Sequence, residues 1–212
     1  MNDTQAPNEP TPRWDPDTFT ILAVTFEIGL IPLAWFIAWA WPGPPVLTPR
    51  CTTSDLFIGI GATLPPLALF LIITATPLRN WSIFERIRDQ TRKIIGEALA
   101  RLQVWQMAAV ATAAGAGEEI LFRGALVSRL GDGLLGICLA GILFGVLHWI
   151  TPTYAVLAGT FGIFLGWLLL ETDNLFVPIV VHGLYDFVAL ILIRRELRRD
   201  GYPHKMNSPS ED

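Results

Sequence analysis

Six titratable side chains stand in stretches of sequence that are otherwise apolar: Glu118, Glu119, Arg123, His148, His182 and Asp186. A charged group inside a membrane costs about 2.5–3.5 kcal/mol on insertion scales, so such groups face a protein interior and act there. Their spacing repeats one interval. Glu119 and Arg123 are four residues apart, with the acid N-terminal, which suits an ion pair along one helix. His182 and Asp186 are also four apart, and so are Phe144 and His148. Residues four apart share one helical face. Three helices therefore each offer one polar face, and a single buried site can collect all three.

Hydrolysis of a peptide bond needs a base, a means of polarising the carbonyl and a partner for the oxyanion. Glu118 can be the base. His148 can orient the water or share its proton. His182 and Asp186 can stabilise the oxyanion, with Asp186 fixing the imidazole tautomer of His182. Glu119 paired with Arg123 is then structural, neutralising one charge and leaving Glu118 free to act. Each feature also has a plainer reading. The Glu119–Arg123 pair can be packing, His148 beside Trp149 can be an interfacial residue, and His182 with Asp186 can be a hydrogen-bonded pair between helices. Taken jointly, three polar pairs on apolar helices are hard to explain by packing alone. Glu27, a lone acid, reads as snorkelling or bonded to a neighbour.

The elements that carry these residues belong in a bilayer. Of 212 residues only 16% are charged, against roughly 25% in a soluble domain, and the mean hydropathy is +0.47. Residues 19–41 carry only Glu27, while 56–78 and 133–170 carry no Asp, Glu, Lys or Arg. A bilayer core needs about 20 apolar residues per helix. The expected fold is an all-α, polytopic membrane helix bundle of about six transmembrane helices. The spans are 19–41, 56–77, one within 104–129, 134–150, 154–170 and 175–193, so the membrane domain covers 19–193. Residues 1–18, rich in Pro, Asp, Asn and Thr, read as a disordered cytoplasmic tail. Residues 79–101 read as an amphipathic helix on the cytoplasmic surface, with Ile83, Phe84, Ile87, Ile94 and Ile95 as its apolar face. Residues 194–212 form a basic tail.

Eleven of the 15 Lys and Arg fall in 79–101 and 194–205. By the positive-inside rule both segments and both termini are cytoplasmic, in a multi-pass protein of the cell inner (plasma) membrane. Beside apolar helices such clusters set topology, so no nucleic-acid partner is expected. Cys51 and Cys138 have no metal or redox spacing, and Cys138 reads as a packing residue. One conflict of depth arises. A third helix beginning at Gln103 carries Glu118 about 22 Å along its axis, while His148 lies near the cytoplasmic end of the fourth. Late entrance or tilt of the third helix, or a bend at Gly115–Gly117, would reconcile them.

Glu118-Glu119-Ile120-Leu121-Phe122-Arg123 matches an EExxxR motif, Phe144 to His148 matches FxxxH, and His182 to Asp186 matches HxxxN/D. In order and spacing this set resembles the CPBP family, the CAAX protease and bacteriocin-processing enzymes also called the ABI family, over a core of about 104–190. The resemblance implies an all-helical intramembrane endopeptidase, with the roles above for Glu118, His148, His182 and Asp186, and with Phe144 packing its motif. Many members carry Asn where this chain has Asp186. A carboxylate donates no hydrogen bond unless protonated.

Metal-free water activation is the preferred reading, with no cofactor. Zinc is the alternative, and its ligands would be Glu118, His148 and His182. The HExxH motif is absent. A serine protease fits worse, because no Ser occurs in 133–193 and Ser128 has no Gly-x-Ser-x-Gly context. An aspartyl type fails because residue 129 is Arg and the motif order is reversed. A non-catalytic adaptor or chaperone of the same fold is the reading from another class. A transporter would show paired repeats. The expected partners are the lipid bilayer and a membrane-associated protein or peptide substrate.

Overall fold

The computed structural model describes residues 15–75, 77–131 and 133–201. The tail expected at 1–18 and the end of the basic tail, 202–212, fall largely outside them. Every regular element described is helical: α1 Pro16–Ala40, α2 Thr53–Ala62, α3 Leu64–Ala75, α4 Ser82–Arg101, α5 Val104–Glu119, a π-helical segment Ile120–Leu126, α6 Val127–Leu130, α7 Gly133–Leu147, α8 Pro152–Thr172 and α9 Phe176–Arg199. The fold is an all-α membrane bundle. Pro16–Ala40, Thr53–Ala75, Pro152–Thr172 and Phe176–Arg199 are each long and apolar enough to cross a bilayer, with mean hydropathies of 1.8 to 2.3. The other two expected spans are also helical. One is the 15-residue α7; the other runs unbroken from α5 through the π segment into α6. Ile21, Phe26, Phe57, Leu64, Leu134 and Val156 are among many large apolar side chains turned outward, as lipid contact requires.

Local chemistry sets the ends. Asp15 caps α1 by accepting from the Thr18 N–H at 3.1 Å, and Pro16 begins the helix with a missing donor that costs nothing there. The first helix therefore starts three residues before the apolar stretch does. The second span breaks at Thr63, because Pro65 and Pro66 lack the N–H groups that would continue the ladder. The Thr63 hydroxyl donates to the Gly59 carbonyl at 2.8 Å, which also accepts from the Thr63 N–H at 3.1 Å. Gln103 and Gln106 form a reciprocal capping box at the start of α5.

The surface helix covers Ser82–Arg101, after a 3-10 turn at Pro77–Asn80. Its expected apolar face divides. Ile95 joins a cluster with Leu99, Leu102, Met107 and Leu197, while Ile83 and Ile94 stay exposed. The cause is geometric: 83 and 94 align after three turns, and 84 and 95 stand about 100° round from them. Arg194 donates to Leu102 O at 2.7 Å and Arg198 to Ala100 O at 2.9 Å, which places cations on the C-terminal carbonyls of α4. Glu196 lies within 3.2–4.0 Å of Arg79, Arg88 and Arg92. The two basic segments thus meet at one end of the bundle, and the Gln106 side chain donates to Asp17 at 2.8 Å at that end too. At the opposite end, Asn174 bonds the Arg50 backbone and the Asp55 carboxylate. Cys138 is exposed on α7, not packed inside as its apolar surroundings suggest.

Backbones meet where side chains are absent. A Cβ on Gly117 would lie 2.0 Å from the Glu27 carbonyl oxygen of α1, one on Gly115 would lie 2.8 Å from Gly183 N of α9, and one on Gly145 would lie 2.4 Å from Ala155 O of α8. Small residues at helix crossings are how membrane helices approach closely.

Candidate active site

Glu118 and Glu119 occupy the last turn of α5, and the π segment follows at once. Successive helical residues point about 100° apart, so the two carboxylates face different neighbours. Glu119 and Arg123 are fully enclosed. The Arg123 guanidinium donates to Glu119 Oε1 at 2.8 Å and to the Gly162 carbonyl of α8 at 2.7 Å. Its carbon sits 4.9 Å from the centroid of the Phe144 ring. A Cβ on Gly162 would stand 3.0 Å from the same guanidinium, so the glycine leaves its carbonyl open to the arginine.

Glu119 Oε1 has a second partner, His182 Nδ1 of α9 at 2.7 Å. A carboxylate only accepts, so His182 Nδ1 carries the hydrogen. This differs from the sequence reading, which gave Asp186 the task of fixing that tautomer. Asp186 lies on the other nitrogen, its Oδ2 3.4 Å from His182 Nε2. The reason is that Glu119 arrives from a different helix, and intrahelical spacing carries no information about it.

His148, just past the end of α7, is oriented in the same way. Its Nδ1 lies 2.8 Å from the Phe144 carbonyl, which can only accept. Phe144 stacks on the imidazole at 4.2 Å and meets Phe122 edge-on at 5.0 Å. Both imidazoles then present Nε2 to Glu118: His148 Nε2 is 3.6 Å from Oε1, and His182 Nε2 is 3.8 Å from Oε2. These gaps exceed direct hydrogen bonds. Oε2 of Glu118 is enclosed with no hydrogen-bond partner among the described residues. The side chains of His148 and Asp186 are 29% and 31% exposed, against 10% for Glu118 and 4% for His182, so the site opens past His148 and Asp186.

The conflict of depth resolves through helix length. The third helix begins at Val104. Helix α7 is short, about 22 Å at 1.5 Å per residue, and stops at Leu147. Its end therefore stops beside Glu118 and short of the level of Val104, and the chain turns into α8 there. Gly115 and Gly117 lie at close helix contacts.

Spacing gave no sign of three further participants. Glu27 lies at the α1–α5 crossing and is acted on by the charges of Glu118, His182, Asp186 and His148. Phe161 of α8 meets His182 edge-on at 5.5 Å. Gly162 receives Arg123. The only signals for the last two were a ring and a small residue in an apolar helix.

For zinc, the donor types of Glu118, His148 and His182 are suitable, and two imidazoles held through Nδ1 are a common outer-shell pattern. The arrangement fits less well. Two ligands about 2.1 Å from one tetrahedral zinc stand about 3.4 Å apart, close to the 3.6 and 3.8 Å between Glu118 and the two imidazoles, but His182 Nε2 is already faced by Asp186. Among the described residues no group of three or more His, Cys, Asp or Glu has metal-binding geometry.

Apolar spanning helices around a buried polar cluster define a multi-pass membrane protein, and the core is similar to one known family. Residues 100–188 match the Rce1-like family, described as type II CAAX prenyl endopeptidase Rce1-like, which is the CAAX protease family that the three motifs resemble. The match supports a membrane endopeptidase and spans Glu118, Glu119, Arg123, Phe144, His148, His182 and Asp186. No curated protein and no solved structure matches the chain.

Proposed function

We propose that this chain is a glutamate-dependent intramembrane endopeptidase that cleaves a membrane-associated protein. The observation that carries the reading is the Glu118 carboxylate facing the Nε2 atoms of two imidazoles, each anchored through Nδ1. Water binds at Glu118 Oε2, an enclosed oxygen that lacks a partner and faces the His182 imidazole. Glu118 takes a proton from it, and the oxygen bonds to the scissile carbonyl carbon. His148 Nε2, on the other carboxylate oxygen, shares that proton. His182 lies between Glu119 on Nδ1 and Asp186 on Nε2. An imidazolium gives its Nδ1–H to Glu119, and its Nε2–H, near Asp186 in the resting site, turns to the oxyanion as the charge develops there. Asp186 acts through His182. When the C–N bond breaks, Glu118 returns the proton to the leaving amine.

Both termini are cytoplasmic in this reading, in the cell inner membrane. Purified protein in lipid nanodiscs with a farnesylated CAAX reporter peptide tests it. Glu118→Gln keeps the side chain's shape and removes the base, so turnover should fall by about two to four orders of magnitude at an unchanged melting temperature. Unchanged turnover in Glu118→Gln would remove Glu118 as the base, whereas no turnover by the wild type together with unchanged cellular function of Glu118→Gln would favour an adaptor of the same fold.

The anchoring of both imidazoles through Nδ1 also favours a second reading, a zinc-dependent peptidase on Glu118, His148 and His182. Zinc supplied there would polarise the carbonyl and acidify water. A chelator should leave activity intact under the first reading and abolish it, with recovery on added zinc, under the second.

A further inference from the structure

Resting on the peptidase reading above, we propose that Glu27 of α1 is a further member of the hydrolytic site, where it holds the attacking water together with Glu118. Glu27 lies outside the segment 100–188 that matches the family model, so the proposal depends on this chain's own geometry. The backbone of α1 touches that of α5 at Glu27 and Gly117, one residue before Glu118. Glu27 is thereby level with the base. Its Oε2 is enclosed and has no hydrogen-bond partner among the described residues, and the same is true of Glu118 Oε2. Glu118 itself is 8% exposed. The charged and titratable groups acting on Glu27 are those of the site: Glu118 from α5, His182 and Asp186 from α9, and His148 from the end of α7.

Buried polar atoms without partners in a native fold ask for a water, an ion or a ligand. Two such carboxylate oxygens from touching helices ask for a ligand that donates twice. Water is the smallest one. It gives one hydrogen to Glu118 Oε2, which becomes the transferred proton, and the other to Glu27 Oε2. With both hydrogens engaged, its lone pairs point away from the two carboxylates, toward the space where a scissile carbonyl would bind. Orientation of this kind is worth orders of magnitude in rate. Glu27 takes no proton in the step. It fixes the direction of attack, while Glu118 remains the base.

The test uses the full chain in nanodiscs, the farnesylated CAAX reporter peptide, and the variants Glu27→Leu and Glu27→Gln. Glu27→Leu should lower kcat by about a hundredfold with KM and melting temperature unchanged. Glu27→Gln keeps an accepting carbonyl oxygen and should lose about tenfold, a partial rescue. A structural acid would instead move the melting temperature and leave the kcat of the folded fraction alone; that result, or wild-type kcat in Glu27→Leu, overturns the proposal. An experimental density map of the wild type that resolves waters gives a readout without turnover. One ordered water should bond both Glu27 and Glu118. Its absence, or a protein partner on Glu27 Oε2, overturns the proposal whatever the kinetics. If the water is present but the wild type leaves the reporter uncleaved, the peptidase reading fails on that substrate and the hold of Glu27 on the water stands.

Discussion

Glu118 and Glu119 are identical in type and adjacent in sequence, and their surroundings make them opposites. Glu119 meets Arg123 and His182 on one oxygen, and its other oxygen is fully enclosed, away from any opening to a substrate. Glu118 meets no direct partner on its inner oxygen and faces two imidazoles. Glu119→Gln should therefore strand the Arg123 charge in an enclosed space, at a cost of about 3–5 kcal/mol in a buried pair. It should appear as lost expression or a lowered melting temperature in detergent. Glu119→Gln with Arg123→Leu leaves no stranded charge and should regain part of that stability, while turnover stays low because His182 still lacks its carboxylate. A fully stable, inactive Glu119→Gln beside an active Glu118→Gln would reverse the two assignments. The ion pair was legible because its partners are one helical turn apart. The Glu119–His182 bond was not, since it joins residues 63 apart across two helices, and a periodic pattern speaks only of one helix.

Among elements, length and side-chain size decide whether the site assembles. A sequence pattern extends the fourth span to residue 150, but α7 ends at Leu147 and the chain turns through His148 to Thr151. That early stop sets His148 beside Glu118, and an apolar run contains no mark of it. Helical spans themselves are legible, because bilayer thickness demands long apolar runs. The break at Thr63 follows from Pro65 and Pro66, yet it lies inside one apolar stretch and reads as a single span. Crossings are less legible still: nothing in the sequence says that Gly117 meets Glu27 or that Gly162 receives Arg123. Gly117→Val should show the weight of such a contact. A Cβ already overlaps the Glu27 carbonyl at 2.0 Å, and neither backbone can yield locally. Overpacking of this kind costs about 1–3 kcal/mol or more. The melting temperature should fall, and turnover should fall in the fraction that remains folded, because α1 must move away from the base. A Gly117→Val variant with wild-type stability and turnover would show that the crossing is loose.

At the scale of the whole molecule, the charge pattern and the contacts agree on which ends lie together. Glu196 of α9 sits among arginines at 79, 88 and 92, and Asp17 at the start of α1 bonds Gln106 at the start of α5. The described starts and ends of the chain, together with α4, therefore share one face of the bundle. The turn at Asp173–Asn174 and the segment around Arg50 share the other. The positive-inside rule predicts that the first face meets the cytoplasm, because it carries the two clusters that hold most of the Lys and Arg. Part of that charge is neutralised by Glu196 and Asp200. The positive-inside bias counts basic residues and not net charge, so the pairing leaves it in force. Reporter fusions after residues 17, 95 and 200 should thus be active as cytoplasmic reporters, and fusions after 50 and 132 as external ones. The fusion at 95 is the decisive arm, because α4 could lie on either surface as far as its amphipathic pattern goes. An external signal there would invert the membrane orientation. The site would then open past His148 and Asp186 toward the outside, and its substrates would have to be presented from that side.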